Sequence, residues 1–412
     1  MDKHEAEYHL KKDHEAEIRR AAETLRGVAR ATPLIRSDFY GDEYGCRIWI
    51  KPEHLQVTGS FKIRGAYNKI AQLSDAEASG GVIASSAGNH AQGVAYSARE
   101  RGVPSVIVMP NITPFIKVNA TKEYGADVIL CGDVYDESYA KALELAQEND
   151  YVFIHPFDDY DVICGQGTVG LEILNELPQI DEILVPVGGG GLVGGIALIV
   201  KALKPEIKII GVEPKGAASM HLSLKEDRIL TLDRVNTNAE GAAVRRAGDL
   251  TFAIARKYVD DVVTVSEKDI MENVLLVMEK HKFVAETAGV TALAALKKRA
   301  KRGKNIVCVM SGGNIDTVTI SSIINAGMIS RGRIMCFSVE LPDRPGQLVN
   351  VASLLAENGA NVIGLEHNQF KALDRYSNKV ALEVTVETNG PEHIKKILDI
   401  LANSGFSARR IY

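Results

Sequence analysis

DEILVPVGGGGLVGGIALIVKAL (residues 181–203) begins as an apolar strand, turns through four consecutive glycines and continues as a helix rich in glycine, isoleucine, alanine and leucine. A strand without polar alternation is buried on both faces, and a helix that follows it directly predicts a parallel sheet covered on both sides. Glycines at such a turn let backbone N–H groups approach an anion closely, and the helix N-terminus adds positive potential. No GK[ST] closes the loop, so it is not a P-loop. A G-x-G-x-x-G spacing can be found in any glycine run this dense. The same glycines also suit tight packing of helix on sheet.

Working outward, the same unit recurs. GGVIASSAGNHAQGVAYSARERG (80–102) reads as strand, loop and helix. PSVIVMP (104–110) and ADVILCG (126–132) read as strands, each followed by a helix, and YVFIHPFDD (151–159) continues the series. Beyond the glycine run come KIIGVEP (208–214), DDVVTVSEKDI (260–270) and KNIVCVMSGGN (304–314), with one long helix expected near 270–299. Its basic end, AALKKRAKRGK, fits a helix C-terminus, where the dipole favours cations. At the start of the chain, Asp13 caps a predicted helix that Thr32-Pro33 ends, and RIWIKPE (47–53) reads as a strand.

The pattern changes near 328–333. RIMCFSVEL, the turn DRPG, the helix QLVNVASLLAENG, the alternating stretches ANVIGLEHNQF and KVALEVTVET, the helix PEHIKKILDILANSG and the end FSARRIY follow in turn. That order, strand–helix–strand–strand–helix–strand, is ferredoxin-like. The fold class is therefore α/β, with domains expected at 1–330, including a smaller subdomain at about 54–155, and at 333–412.

Composition narrows the function classes. The chain has 412 residues, 46% hydrophobic and 25% charged, and a formal charge of −5. These are ordinary globular values, without the basic stripe of a nucleic-acid binder. No apolar run is long enough to span a bilayer. The charged stretch MDKHEAEYHLKKDHEAEIRR lacks the apolar core of a signal peptide, which predicts a cytoplasmic protein. Cys46, Cys131, Cys164, Cys308 and Cys336 show no paired spacing and read as reduced thiols.

VTGSFKIRGA (57–66) brings Lys62 in behind Thr58, Gly59, Ser60 and Phe61. An apolar approach depresses a lysine pKa and favours the neutral amine. A pyridoxal phosphate ligand would use all of these features: a lysine to meet its aldehyde, glycines for its phosphate and an apolar face for its ring. Two further loops end predicted strands, SSAGNHAQG (85–93) and SGGN (311–314). Loops at the carboxyl ends of strands converge where open α/β sheets bind ligands.

GSFKIRGA, SSAGNHAQG, the GGGGL loop and SGGN together resemble the fold-type II pyridoxal-phosphate enzymes, specifically the threonine/serine dehydratases. The C-terminal stretch, with DRPGQL and GANV, resembles an ACT domain. The resemblance implies two open, mostly parallel sheets with pyridoxal 5'-phosphate in the cleft, and a homo-oligomer, dimer or tetramer. It implies that Lys62 bonds the cofactor aldehyde and acts as the general base. Phe61 would lie against the ring, Asn89 would bond the ring hydroxyl and Ser311 the ring nitrogen. Gly188, Gly189, Gly190, Gly191 and Leu192 would hold the phosphate, and Ser86, Ala87, Gly88, Asn89 and His90 the substrate carboxylate. Glu286 matches a pattern near the cofactor and reads equally as a helix N-terminal acid. Racemases of the family carry serine where Ala87 stands, so racemisation should be weak. A divalent-metal site of some relatives pairs an acid at Glu213 with one at the position of Ser219, so no metal is expected. Gly346 and Asn361 are the residues expected to contact an amino-acid effector. The expected activity is dehydration and deamination of L-threonine to 2-oxobutanoate, and of L-serine to pyruvate. A serine-preferring dehydratase and a catalytically weak amino-acid sensor are the alternatives.

Overall fold

A computed structural model describes residues 3–368 and 379–412. Gln369 and Phe370, the end of the stretch ANVIGLEHNQF, lie outside the described residues. The chain divides into two compact units, Met1–Asp316 and Thr317–Tyr412.

The strands of the first unit are β1 (Ile35–Ser37), β2 (Arg47–Pro52), β3 (Val82–Ser85), β4 (Ser105–Met109), β5 (Asp127–Leu130), β6 (Val152–Phe153), β7 (Glu182–Pro186), β8 (Lys208–Pro214), β9 (Asp261–Val265) and β10 (Asn305–Met310). They form a six-stranded sheet in the order β1-β2-β10-β7-β8-β9 and a four-stranded sheet in the order β5-β4-β3-β6. Every pairing is parallel except β1 with β2. β4 and β7 are buried at every position, which accounts for their unbroken apolar runs. The main core lies between the larger sheet and its helices, with Ile183, Val185, Leu192, Ile196 and Val307 among its members.

Three helices bring the two sheets together. The Lys62 helix (Lys62–Ala71) packs on both the Asn89 helix (Asn89–Arg101) and the long helix Tyr160–Glu176. The last contact is close because both helices carry glycine there. A Cβ on Gly65 would lie 2.7 Å from the Val162 carbonyl, and one on Gly165 would lie 2.5 Å from that of Arg64.

Two expectations need correction. The long helix expected over 270–299 is broken. Glu267–Leu276, N-capped by Ser266, runs into a π turn at Val277–His281, and Lys282 then takes the left-handed conformation at φ 61°. The helical apolar spacing is real, but the chain leaves the helix at Lys282, and residues 283–290 form a loop instead. Second, YVFIHPFDD keeps only Val152–Phe153 as strand, because Pro156 and Phe157 turn toward Lys62 and the glycine loop.

The second unit holds the helix Thr317–Ser330 and then β11 (Ile334–Pro342), the helix Gln347–Glu357, β12 (Asn361–Asn368), β13 (Lys379–Glu387), the helix Pro391–Asn403 and β14 (Ala408–Arg410). Its sheet is antiparallel throughout, in the order β12-β13-β11-β14. Strands and helices alternate as the sequence pattern predicts, over a core that includes Phe337, Val339, Leu355, Leu382 and Ile397. The helix Thr317–Ser330 belongs to this unit, so the division falls before the expected boundary at 328–333.

Candidate active site

Lys62 is the first residue of its helix, and the turn before it is held by a distant loop. Ser60 forms an isolated antiparallel bridge with Gly312. The Phe61 N–H donates to the Ser311 carbonyl at 3.1 Å, and the Gly313 N–H donates to that of Gly59 at 2.9 Å. These contacts put TGSFK and SGGN side by side. The Lys62 Nζ donates to the Pro156 carbonyl at 2.6 Å and lies 5.3 Å from the centre of the Phe61 ring. Burial lowers the Lys62 pKa to about 8, against the opposing pull of Glu286.

Asn89 opens its helix at the end of β3 and is held from two directions. Its Nδ2 donates to Glu286 Oε1 at 2.7 Å, and its Oδ1 accepts from Asn314 Nδ2 at 2.8 Å. The same Asn314 amide donates to the Thr58 carbonyl at 2.7 Å. Glu286 reaches the site from the loop that interrupts the expected helix, tied by its N–H to the Gly312 carbonyl at 3.1 Å. Burial raises its pKa to about 7, opposed by the Asn89 hydrogen bond.

Ser86, Ala87 and Gly88 form the turn into the Asn89 helix, with the Ser86 hydroxyl accepting from the Gly88 N–H at 3.2 Å. The His90 side chain turns away: its Nε2 lies 2.8 Å from the Ile154 carbonyl. Burial, with Lys62 nearby, lowers the His90 pKa to about 3, so the ring is neutral and donates to that carbonyl. The His90 backbone N–H is among the first N–H groups of the helix, which have no partner within it.

The glycine loop follows β7. Gly190 has φ 95°, which a side chain would strain. Among the described residues, the N–H groups of Gly188, Gly189, Gly190, Gly191 and Leu192 find no acceptor, and all but Gly188 are buried. Buried N–H groups are rarely left unpaired, so these donors mark a place for an anion. Phe157 closes one side of the loop: a Cβ on Gly189 would lie 2.2 Å from its ring.

The segment His155–Asp159 is the part of the site that sequence reasoning missed. His155 Nδ1 accepts from the N–H groups of Phe157 and Asp158, at 3.3 and 2.8 Å. Pro156 receives Lys62, Phe157 covers the glycines, and Asp158 caps the helix Asp249–Tyr258. Asp159 caps the helix that begins at Tyr160 and pairs with Lys69 at 2.9 Å. Two acids beside a Phe after a short strand were the available signal.

Glu213 accepts from the N–H groups of Met220 and His221 at 2.9 and 2.8 Å, and burial raises its pKa to about 8. In the second unit, Gly346 and Asn361 line separate cavities. Gly346, with Asp343, Arg344 and His367, lines one of about 290 Å³, and Asn361, with Arg333 and Glu387, lines one of about 230 Å³.

Residues 25–312 match the family described as pyridoxal-phosphate dependent enzyme. The chain is 44% identical over 394 residues to an L-threonine ammonia-lyase of Thermotoga maritima, a match that covers 95% of this chain and 98% of that protein. The processed form of threonine deaminase isoform 2 from Solanum lycopersicum has a similar structure, with a TM-score of 0.74 and 38% identity over 80% of this chain and 90% of its own. Maize serine racemase is similar at a TM-score of 0.72 and 36% identity, over 77% of this chain and 98% of its own.

Proposed function

This chain belongs to the pyridoxal-phosphate-dependent enzyme family, and on that premise we propose that it is a lyase that eliminates water from L-threonine and releases 2-oxobutanoate and ammonia. The observation that carries this reading is the meeting of Lys62, Asn89, Ser311 and the unpaired glycine-loop N–H groups at one cleft.

The residues fit the cofactor. The loop offers buried donors without acceptors where a phosphate needs them, and side chains at Gly189 and Gly190 are excluded. Lys62 is half-buried with its amine pushed toward neutrality. Pyridoxal phosphate, when bound, supplies an aldehyde that condenses with an amine and a conjugated ring that takes up negative charge.

The chain's own groups supply the rest. Lys62 Nζ takes the proton from the substrate Cα, and the Cβ–O bond breaks as the hydroxyl leaves with a proton as water, so that one proton is taken up and one given. Asn89 gives one amide hydrogen to Glu286 and would offer the other to the ring hydroxyl, and the Asn314 contact fixes which way the amide faces. The Ser86 hydroxyl, the Ala87 N–H and the N–H groups of the helix start orient the substrate carboxylate. Ser311 would offer a neutral hydroxyl to the ring nitrogen, an arrangement that would favour prompt loss of the β-hydroxyl over slower chemistry. Ala87 has no atom able to carry a proton to the opposite face, which supports elimination over racemisation. L-Serine, lacking one methyl, is a second substrate and yields pyruvate, because one methyl shifts discrimination by only about 1–3 kcal/mol.

We read residues 333–412 as an ACT regulatory domain. The strand–helix–strand–strand–helix–strand order and the cavity beside Gly346 support that reading. The family match ends at residue 312, just before the second unit begins, which supports a catalytic role for the first unit alone.

The deciding experiment adds L-threonine to the cofactor-loaded protein and measures keto acid and ammonia. Equal amounts of 2-oxobutanoate and ammonia are expected, with Lys62→Ala slower by at least about 10²–10⁴-fold, the contribution of a positioned base. A loaded protein that makes no keto acid from threonine or serine overturns the reading in favour of an amino-acid sensor.

A further inference from the structure

The helix Asp249–Tyr258 begins against the back of the glycine loop, and the contact is specific. The Thr251 hydroxyl donates to the Gly189 carbonyl at 2.6 Å, with a longer second approach to the Gly248 carbonyl at 3.3 Å. In a planar trans peptide the C=O and the following N–H point in opposite directions. The Gly189 carbonyl and the Gly190 N–H belong to one peptide. A hydroxyl that holds this carbonyl therefore also sets the direction of that N–H. Thr251 packs directly on the same glycine: a Cβ on Gly190 would lie 2.9 Å from the threonine Cβ and 3.1 Å from its Oγ1.

Thr251 is itself fixed. It is fully buried. Its N–H donates to Asp158 Oδ1 at 3.1 Å, and the same carboxylate accepts from Leu250 at 3.0 Å and Asp249 at 3.0 Å. Asp158 thus caps a helix 91 residues away in the chain, while its neighbour Phe157 closes the opposite side of the glycine loop. One short segment therefore sets both sides of the loop.

We propose that Thr251 is a positioning residue for a phosphate monoester: held by Asp158, its hydroxyl turns the Gly189–Gly190 peptide so that the Gly190 N–H faces the anion site. The proposal rests on the functional reading above, which makes the loop a phosphate cradle. It assigns to Thr251 no contact with substrate and no part in proton transfer. Its signature is a loss of affinity confined to ligands that carry the phosphate.

The test uses the full-length protein stripped of cofactor and titrates it with pyridoxal phosphate and with pyridoxal, which lacks the phosphate. Thr251→Val keeps the shape and removes the hydroxyl, and Thr251→Ser keeps the hydroxyl. Thr251→Val should weaken pyridoxal phosphate about tenfold, the scale of one oriented hydrogen bond, and leave pyridoxal within about twofold. Thr251→Ser should keep the wild-type ratio of the two affinities. If the valine variant does not fold, Thr251→Ala takes its place with the same ratio as readout. An unchanged ratio in the hydroxyl-free variant overturns the proposal, as does an equal loss for both ligands. If the wild-type protein itself fails to prefer pyridoxal phosphate over pyridoxal, the functional reading falls with it.

Discussion

Lys62 carries its consequences at the scale of a single amine. Burial lowers its pKa to about 8 from an ordinary value of 10.5. Capture of an aldehyde requires the neutral form, so the rate at which unloaded protein takes up pyridoxal phosphate should rise with pH and level off above about 8. Stopped-flow absorbance across pH 6–10 checks this. The sign for stability follows from the same shift. Between the folded and unfolded pKa values the unfolded chain binds the extra proton, so the stability of the unloaded protein rises with pH through that window. Lys62→Met should therefore stabilise the unloaded protein below pH 8, with the gain fading as pH approaches 10.5, as seen in denaturant midpoints at several pH values. The lysine was legible because TGSFK places a charged residue on a small and apolar approach. Glu286 was legible only as a family match. What brings it beside Lys62 and Asn89 is a hydrogen bond to Asn89, 197 positions away, which no local spacing encodes.

Among the elements, the Lys62 helix is tied into the fold by a buried charge cluster around Arg64, two residues from Lys62. Arg64 donates to both oxygens of Glu53 at 2.7 and 2.9 Å and to both of Glu172 at 2.6 and 2.8 Å. Lys51 donates to Glu172 at 2.6 Å, and the Thr32 hydroxyl to Glu53 at 2.6 Å. Arg64 and Glu53 are essentially inaccessible to solvent, at 1% and 0% exposure. The cluster joins β2, the turn after it, the Lys62 helix and the Tyr160–Glu176 helix. Glu53→Ala leaves the Arg64 charge partly uncompensated in the interior and should lower unfolding free energy by about 3–5 kcal/mol. Replacing both with apolar residues of similar size, Glu53→Leu with Arg64→Met, should be less harmful than either single change. Urea unfolding of Glu53→Leu, Arg64→Met and the double variant provides the double-mutant comparison. Strands and most helices could be read from apolar periodicity. The break at Lys282 could not, because the helical spacing of 270–276 continues past it. Tertiary pairing of the Glu286 N–H with Gly312 takes the chain out of the helix there.

For the whole molecule, two units follow one another in the chain, one with parallel sheets and one with an antiparallel sheet. An effector acting through the second unit has to alter kinetics measured in the first. Titration with isoleucine, valine and other amino acids should find one that shifts the threonine saturation curve. Gly346 has φ 92° beside the cavity at Asp343–Leu348, so Gly346→Ala strains that turn. It should weaken the effector response while leaving kcat without effector unchanged. A response identical in the variant and the wild type removes the regulatory role assigned to this cavity. The sequence pairs Gly346, in the strand-to-helix turn, with Asn361, at the next strand, as contacts of one effector, yet they line different cavities.

The sequence by itself determined the α/β alternation, the three loops at strand ends, the lysine among small and apolar residues, and the order of elements in the C-terminal unit. All of these are written within windows of a dozen residues, where side-chain periodicity and glycine content act directly on the backbone. Only the tertiary structure decided that His155–Asp159 lines the cleft, that Thr251 backs the glycine loop, that His90 turns to Ile154 and that Arg64 lies within a closed set of charges. Each of those depends on a hydrogen bond or ion pair between groups far apart in the chain. Such partners are chosen by how helices and sheets pack, and local spacing carries no record of them.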